Sequence, residues 1–180
     1  MEDELKPLKL DRARFRAVVE LLPLERAGPA GRDRIEFEVS TNPGAPFGGL
    51  GSIASGGELA RFALAFKASL AQRGGAGVAG PVMIFDEVDQ GVGGAVADAV
   101  GSRLRRLASD SQQVLVVTHS PQVAARTHQH WRVSKTGDAV RIATTVEVLS
   151  ETERAEEIAR MLSGAEITEA ARAAARALIG

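Results

Sequence analysis

Ala54-Ser55-Gly56-Gly57-Glu58, standing just before a helix-patterned segment, and Val82-Met83-Ile84-Phe85-Asp86-Glu87, an apolar run ending in two acids, decide how this chain is read. Two adjacent glycines after a serine leave backbone N–H groups and the positive end of a helix facing outward with no side chain in the way, which is how a helix terminus grips phosphate oxygens. Two carboxylates at the end of a strand suit a metal ion and a water molecule. Both features point to nucleotide chemistry. The phosphate-cradling loop G-x-x-x-x-G-K-[ST] is missing, because none of the four lysines (Lys6, Lys9, Lys67, Lys135) follows a glycine. The chain carries the second half of an ATP site without the first.

Upstream of the glycines, Phe15, Ala17 and Val19 fall on one face of a period-two stretch, as do Ile35, Phe37 and Val39, predicting two antiparallel strands. Residues 1–10 are charged, short and interrupted by Pro7, and read as a leader outside the core. The Pro- and Gly-rich segment from Thr41 to Ser52 reads as a loop poorly suited to a ladder. Downstream, Leu59, Phe62, Ala63, Phe66 and Leu70 repeat at helical spacing, with Gly74-Gly75 marking the helix end.

The run Val82–Phe85 and the run Val114-Leu115-Val116-Val117 read as strands of the kind buried on both faces in a parallel α/β sheet. Between them Val96, Val100, Leu104 and Leu107 form the apolar stripe of a helix. Ser120-Pro121 supplies an N-cap and a first-turn proline for a further helix. Trp131–Ser134 and Val140–Val148 read as strands, Ser150 with Glu153 as a capping box for a helix stopping near Gly164, and Thr168 as the cap of an alanine-rich last helix. The spacing from Glu58 to Asp86 and from Asp86 to His119 suits βαβ units, and puts Asp86, Glu87 and His119 at the carboxyl ends of strands, where open α/β sheets bind ligands.

Composition narrows the classes. With 180 residues, 44% hydrophobic, the chain is long enough for a core, and a net charge of −1 leaves any nucleic-acid contact to local patches. The absence of cysteine removes disulfides, thiolate nucleophiles and cysteine zinc sites. No apolar run is long enough to span a bilayer and Met1-Glu2-Asp3-Glu4 lacks the basic start of a signal peptide, so a cytoplasmic location without membrane contact is expected.

Each candidate residue has a chemical role beside a plainer one. Asp86 suits magnesium, directly or through water, and Glu87 can orient or deprotonate an attacking water, although an Asp-Glu pair can also simply open a surface turn. Ser55, Gly56 and Gly57 suit a phosphate, or an ordinary cap and turn. His119 suits a hydrogen bond to the γ-phosphate or the water, or stands as a satisfied strand-end histidine. Arg103, Arg105 and Arg106 read as a solvated helix face before a DNA contact, and His128 and His130 as surface residues.

Taken together, Ser55-Gly56-Gly57-Glu58 resembles the signature motif of ABC-type ATPases, Ile84-Phe85-Asp86-Glu87 their Walker B strand and His119 their switch histidine. Within them, Ser40–Gly44, Asp86–Val96, Thr118–Ala124 and Glu157-Ile158-Ala159-Arg160-Met161-Leu162 resemble the RecN family of bacterial DNA-repair proteins, which are SMC-related, from about Leu8 onward. The resemblance implies an α/β C-terminal lobe of an ABC-type head, with a mainly parallel sheet, flanking helices and an N-terminal antiparallel strand pair. Residues 1–10 then read as a remnant of the arm or linker and 11–180 as the half-head. It further implies ATP and Mg2+ as ligands, Ser55, Gly56, Gly57 and Glu58 contacting the γ-phosphate of ATP held by a second protomer, a homodimer of ATP-sandwiched heads, the N-terminal half-head of the same protein as partner, and DNA as target of the whole protein. In place of the aspartate with which many ABC proteins reach across the dimer the chain has Gly91-Val92-Gly93-Gly94, for which the resemblance suggests a backbone role. The lobe alone is expected to be inactive and to expose apolar surface where its other half packs. A non-enzymatic DNA- or partner-binding module on the same scaffold, or the head of a different SMC-like protein, are the alternatives.

Overall fold

A computed structural model describes residues 2–52, 56–71, 82–108, 112–137, 142–164 and 166–180. The chain divides into two compact units, Met1–Val78 and Ala79–Gly180.

In the first unit, β1 (Arg14–Leu21) and β2 (Asp33–Ser40) pair antiparallel, with Phe15 opposite Val39, Ala17 opposite Phe37 and Val19 opposite Ile35. The alternating pattern thus lands on one face, as the period of two requires. Helix α2 (Gly56–Ala71) covers one end of that face, where the rings of Phe15, Phe37 and Phe66 lie with centroids 5.1, 5.5 and 6.3 Å apart, the range of favourable aromatic contact. At the other end Val19, Leu21 and Ile35 stay exposed.

Three expectations are corrected here. Residues 1–10 do enter the core: α1 (Glu2–Leu5) packs on α2, and Leu5, Leu8 and Leu10 are buried. Lys9, at φ 58°, closes the turn that brings the Leu10 N–H to the Leu5 carbonyl at 3.0 Å. Because α1 claims a second side of α2, its buried positions are Arg61, Phe62, Leu64, Ala65 and Ala68, while Leu59 and Ala63 of the expected stripe are exposed and line, with Phe15, Phe37 and Phe66, an apolar groove of about 230 Å³. The loop after Ser40 also contributes to the sheet, since Gly48–Gly49 (β3) pairs with Glu38 and Val39. The Ser40 hydroxyl, within hydrogen-bond distance of the Asn42 and Ala45 carbonyls, folds the chain back toward β2. Gly74-Gly75 lies outside the described residues.

In the second unit β4 (Met83–Asp86) and β5 (Val114–Val117) run parallel, Ile84 beside Leu115 and Asp86 beside Val117. Helix α3 (Gly94–Leu107) makes the crossover with Val100, Leu104 and Leu107 inward. Arg103 is buried as well, which leaves only Arg105 and Arg106 of the three-arginine cluster on the surface. The strands are not buried on both faces. Phe85 is 3% exposed, whereas Val82, Ile84 and Val117 are 55%, 61% and 56% exposed. Successive side chains of a strand point to opposite faces, so one face of this pair is covered and the other open.

After β5, α4 (Pro121–Ala125) leads to the antiparallel hairpin of β6 (Trp131–Gly137) and β7 (Ile142–Val148). Helix α5 (Glu151–Ser163) begins with the Ser150–Glu153 capping box and ends at Gly164, at φ 78°, and Thr168 caps α6 (Glu169–Ile179). Ala124, Ala125, Ile158, Ala159, Ala171 and Ala175 form the core between α4, α5 and α6. Alanines there let the helix axes come close. Gly101 does the same for α3 and α4, since a β-carbon on it would meet the Val123 Cα at 3.0 Å.

Candidate active site

Parallel pairing of β4 with β5 brings their carboxyl ends to one edge. Asp86 closes β4 on the open face, since it alternates with buried Phe85, and Glu87 follows it. The Glu87 N–H donates to the Val117 carbonyl at 3.0 Å, so Glu87 is fastened to the end of β5, two residues before His119. Asp86, Glu87 and His119 are all exposed at this edge. The structure therefore brings together the three residues that the sequence placed at strand ends.

Glu87 is one of two described non-glycine residues with positive φ, at 47°. L-residues pay for the left-handed region through contact of the β-carbon with the backbone, and such outliers gather at functional sites. The turn that follows is closed by the Gln90 N–H on the Glu87 carbonyl at 3.0 Å.

Two residues without an assigned sequence role complete this edge. Asp89 is 1% exposed, and its Oδ2 accepts a short hydrogen bond from the Thr118 hydroxyl. Thr118 Oγ1 in turn accepts from the Ser120 N–H at 2.9 Å, and Ser120 caps α4. The visible signal was a third acid within four residues of the strand end, set beyond apolar Val88.

The glycine element belongs to the first unit. Gly56 and Gly57 are the first residues of α2, within the helix and not in a turn before it, while Ser55 lies outside the described residues. Glu58 is half-buried, and Arg61 beneath it is nearly buried. Burial lowers the Arg61 guanidinium from its ordinary value, and the Glu58 charge opposes the shift. Arg61 was missed because its place in a helical pattern made it look solvated.

His130 is not a surface residue. It is half-buried, burial pushes its imidazole below the ordinary value of 6.5, and its Nδ1 has no hydrogen-bond partner among the described residues. His128 is exposed as expected. Neighbouring Glu157, 7% exposed, accepts from Arg160 at 2.6 Å, which holds its carboxyl below the usual range. Arg154 Nη2 donates to the Ala125 and Thr127 carbonyls at 2.7 and 2.8 Å, which ties α5 to the end of α4.

The donor set fits magnesium better than a metal the protein would hold alone. Among the described residues no group of three or more His, Cys, Asp or Glu could bind a metal by itself. Magnesium needs only one or two carboxylates when phosphate oxygens and water fill its remaining positions.

No family model matches the chain. Over 179 residues, 99% of its length, it is 45% identical to the DNA repair protein RecN of Rickettsia felis, covering 32% of that protein. It is 49% identical to RecN of Xylella fastidiosa over 164 residues, covering 28% of that protein. The chain is similar to RecN along nearly its whole length. RecN of Vibrio cholerae, at 40% identity over 179 residues, agrees, and the chain spans about a third of the length of these relatives (32%, 28% and 31%). Among solved structures the chain superposes on an Smc head domain with a coiled coil and joint from Pyrococcus yayanosii, with a TM-score of 0.63 and 22% identity over 87% of this chain and 27% of that one. A second, from work on ATP-driven dimerization and DNA-stimulated activation of SMC ATPases, gives a TM-score of 0.57 at 22% identity, over 92% of this chain and 89% of that one. These likenesses show that the chain shares the fold of those head domains.

Proposed function

We propose that this chain is the C-terminal lobe of an ATPase head in a protein that acts in recombinational repair of DNA double-strand breaks. It supplies the signature element, the Walker B acids and the switch histidine, and an N-terminal half-head of the same protein supplies the phosphate-cradling loop. The observation that carries this reading is the gathering of Asp86, Glu87 and His119 at one strand edge beside an open apolar face, in a chain similar to RecN. An apolar strand face half exposed in a parallel pair calls for a cover, and a cover bearing the missing loop would set a triphosphate beside these acids.

Asp86 would hold Mg2+, directly or through water. When bound, the ion offsets the charge building on the phosphate oxygens. Glu87 orients the attacking water and takes its proton. His119 donates to the γ-phosphate or holds the same water. Ser55, Gly56, Gly57 and Glu58, with the first N–H groups of α2, contact the γ-phosphate of ATP held by a second protomer, so that ATP joins two heads and hydrolysis parts them. The Gly91–Gly94 segment, glycine at every position but Val92, acts through its backbone across that dimer. Residues 1–10 derive from the arm or linker. The protein works in the cytoplasm on the nucleoid, and no helix among the described residues is long and apolar enough to cross a membrane.

The test mixes this chain with a separately made half carrying the phosphate loop and assays ATP hydrolysis with and without DNA. Each half should be silent and the mixture active. Steady turnover by this chain alone, or an active mixture that Glu87→Gln leaves unslowed, refutes the reading.

A further inference from the structure

We propose that Asp89 and Thr118 are a positioning pair that sets His119 in register with Glu87. The proposal rests on the reading of Glu87 and His119 as hydrolytic groups. Asp89 lies two residues beyond Glu87, in the turn that Glu87 opens, and Thr118 immediately precedes His119. Their side chains meet in a short hydrogen bond from the Thr118 hydroxyl to Asp89 Oδ2. A carboxylate 1% exposed, with its other oxygen lacking a hydrogen-bond partner among the described residues, is costly to keep inside a protein. Stability alone does not favour such a group, since an apolar side chain of similar size packs there more cheaply.

What the pair does is visible in its connections. Thr118 Oγ1 accepts from the Ser120 N–H at 2.9 Å, so both neighbours of His119 are pinned while His119 itself is free at the edge. On the other side the Val92 N–H reaches the Asp89 carbonyl at 3.2 Å and the Gln90 N–H the Glu87 carbonyl at 3.0 Å, which ties Asp89 into the turn that holds Glu87 at φ 47°. The Glu87 N–H on the Val117 carbonyl closes the loop of contacts. The two exposed groups therefore share one frame, joined through the side chains of Asp89 and Thr118. Thr118 can serve because its hydroxyl donates with its proton and accepts with its lone pair.

The experiment uses the full-length ATPase. Thr118→Val keeps the shape and removes the hydroxyl. It should lower kcat about 10- to 100-fold, the cost of displacing a reacting group by about an ångström, and leave the KM for ATP within about twofold, because ATP binding does not use the pair. Thr118→Ser restores the hydroxyl and should restore kcat. Asp89→Asn, which keeps an acceptor of the same shape but no charge, should fall between them. In a His119→Ala background Thr118→Val should cost nothing further, since the pair acts through His119. A full additional loss in that background, a rise in KM with kcat unchanged, or no rescue by Thr118→Ser in a variant that melts like the wild type overturns the proposal. If Glu87→Gln and His119→Ala themselves turn over at the wild-type rate, the underlying site reading has failed, which is a different result from an additive Thr118→Val.

Discussion

Replacing Glu87 by glycine should stabilise the chain while abolishing hydrolysis in the intact protein. Glu87 is exposed, so removing its side chain forfeits little packing, but it sits at φ 47°, where an L-residue pays roughly 1–2 kcal/mol for its β-carbon. Glycine escapes that cost and returns about 0.5–1 kcal/mol of it through the greater freedom of the unfolded chain. The net gain is about 0.5–1 kcal/mol. Valine, branched at the β-carbon, suffers most in this region and should lose about 1 kcal/mol or more relative to glutamate. The spread from glycine to valine is then about 2 kcal/mol, or roughly 4–8 °C in Tm for a chain of this size. Thermal unfolding of Glu87→Gly, Glu87→Ala and Glu87→Val, followed by circular dichroism, reads the order directly. If glycine and valine melt within about 1 °C of each other, or glycine melts below alanine, Glu87 is not held in the left-handed region and the strain argument collapses. The matching loss of ATPase activity in the full-length Glu87→Gly protein would mark a residue kept for chemistry at the expense of stability.

Arg154→Ala removes the donor shared by the Ala125 and Thr127 carbonyls, and should cost about 1.5–3 kcal/mol, as charged hydrogen bonds do, read as a lower urea midpoint at unchanged m-value. Gly101→Ala places a β-carbon 3.0 Å from the Val123 Cα, and should lose about 1–3 kcal/mol by forcing α3 from α4; a melting curve equal to wild type would show that the helices yield freely. His130 binds its proton less tightly folded than unfolded, so its contribution to stability is complete above the ordinary 6.5 and is lost as the pH falls through the lower folded value. Urea midpoints measured from about pH 7 down to pH 5 should therefore fall in the wild type and flatten in His130→Gln, and parallel profiles for the two proteins would assign the acid sensitivity elsewhere.

The elements legible in the sequence were those whose cause is local. The Ser150–Glu153 capping box, the Ser120-Pro121 start and the Thr168 cap are written in residues no more than three apart, and the structure shows all three. The two antiparallel strands β1 and β2 followed from one alternating face in each. What escaped depends on partners distant in the chain. Leu5 and Leu8 look like spacers among charges until α1 meets α2. Arg103 and Arg61 carry a charge that predicts solvent, yet their long stems let them lie inside. Asp89 and Thr118 are far apart in sequence, and no periodicity in either segment announces their bond. The metal, water and phosphate roles came from residue chemistry and then from motif resemblance, and the fold supplies a shared edge for Asp86, Glu87 and His119 without supplying the chemistry.

The open face of β4 and β5 explains why an edge so well furnished with acids is incomplete. Val82, Ile84 and Val117 turn apolar side chains outward on the same face as Asp86, so whatever covers that face also comes up against the carboxylate. Covering it would remove water from around Asp86 as well as from the aliphatic groups, which strengthens every charge interaction at that edge. Assembly and activation are then one event in the proposed head, because burial of the aliphatic row drives the association and the same burial conditions the acids. Ile84→Lys separates the two effects. It should weaken reconstitution with the other half at least tenfold in apparent Kd, since a lysine replaces about 1.5 kcal/mol or more of apolar burial, while saturating amounts of the other half should recover most of the ATPase rate. Recovery of binding without recovery of rate would show that the face does more than hold the lobes together.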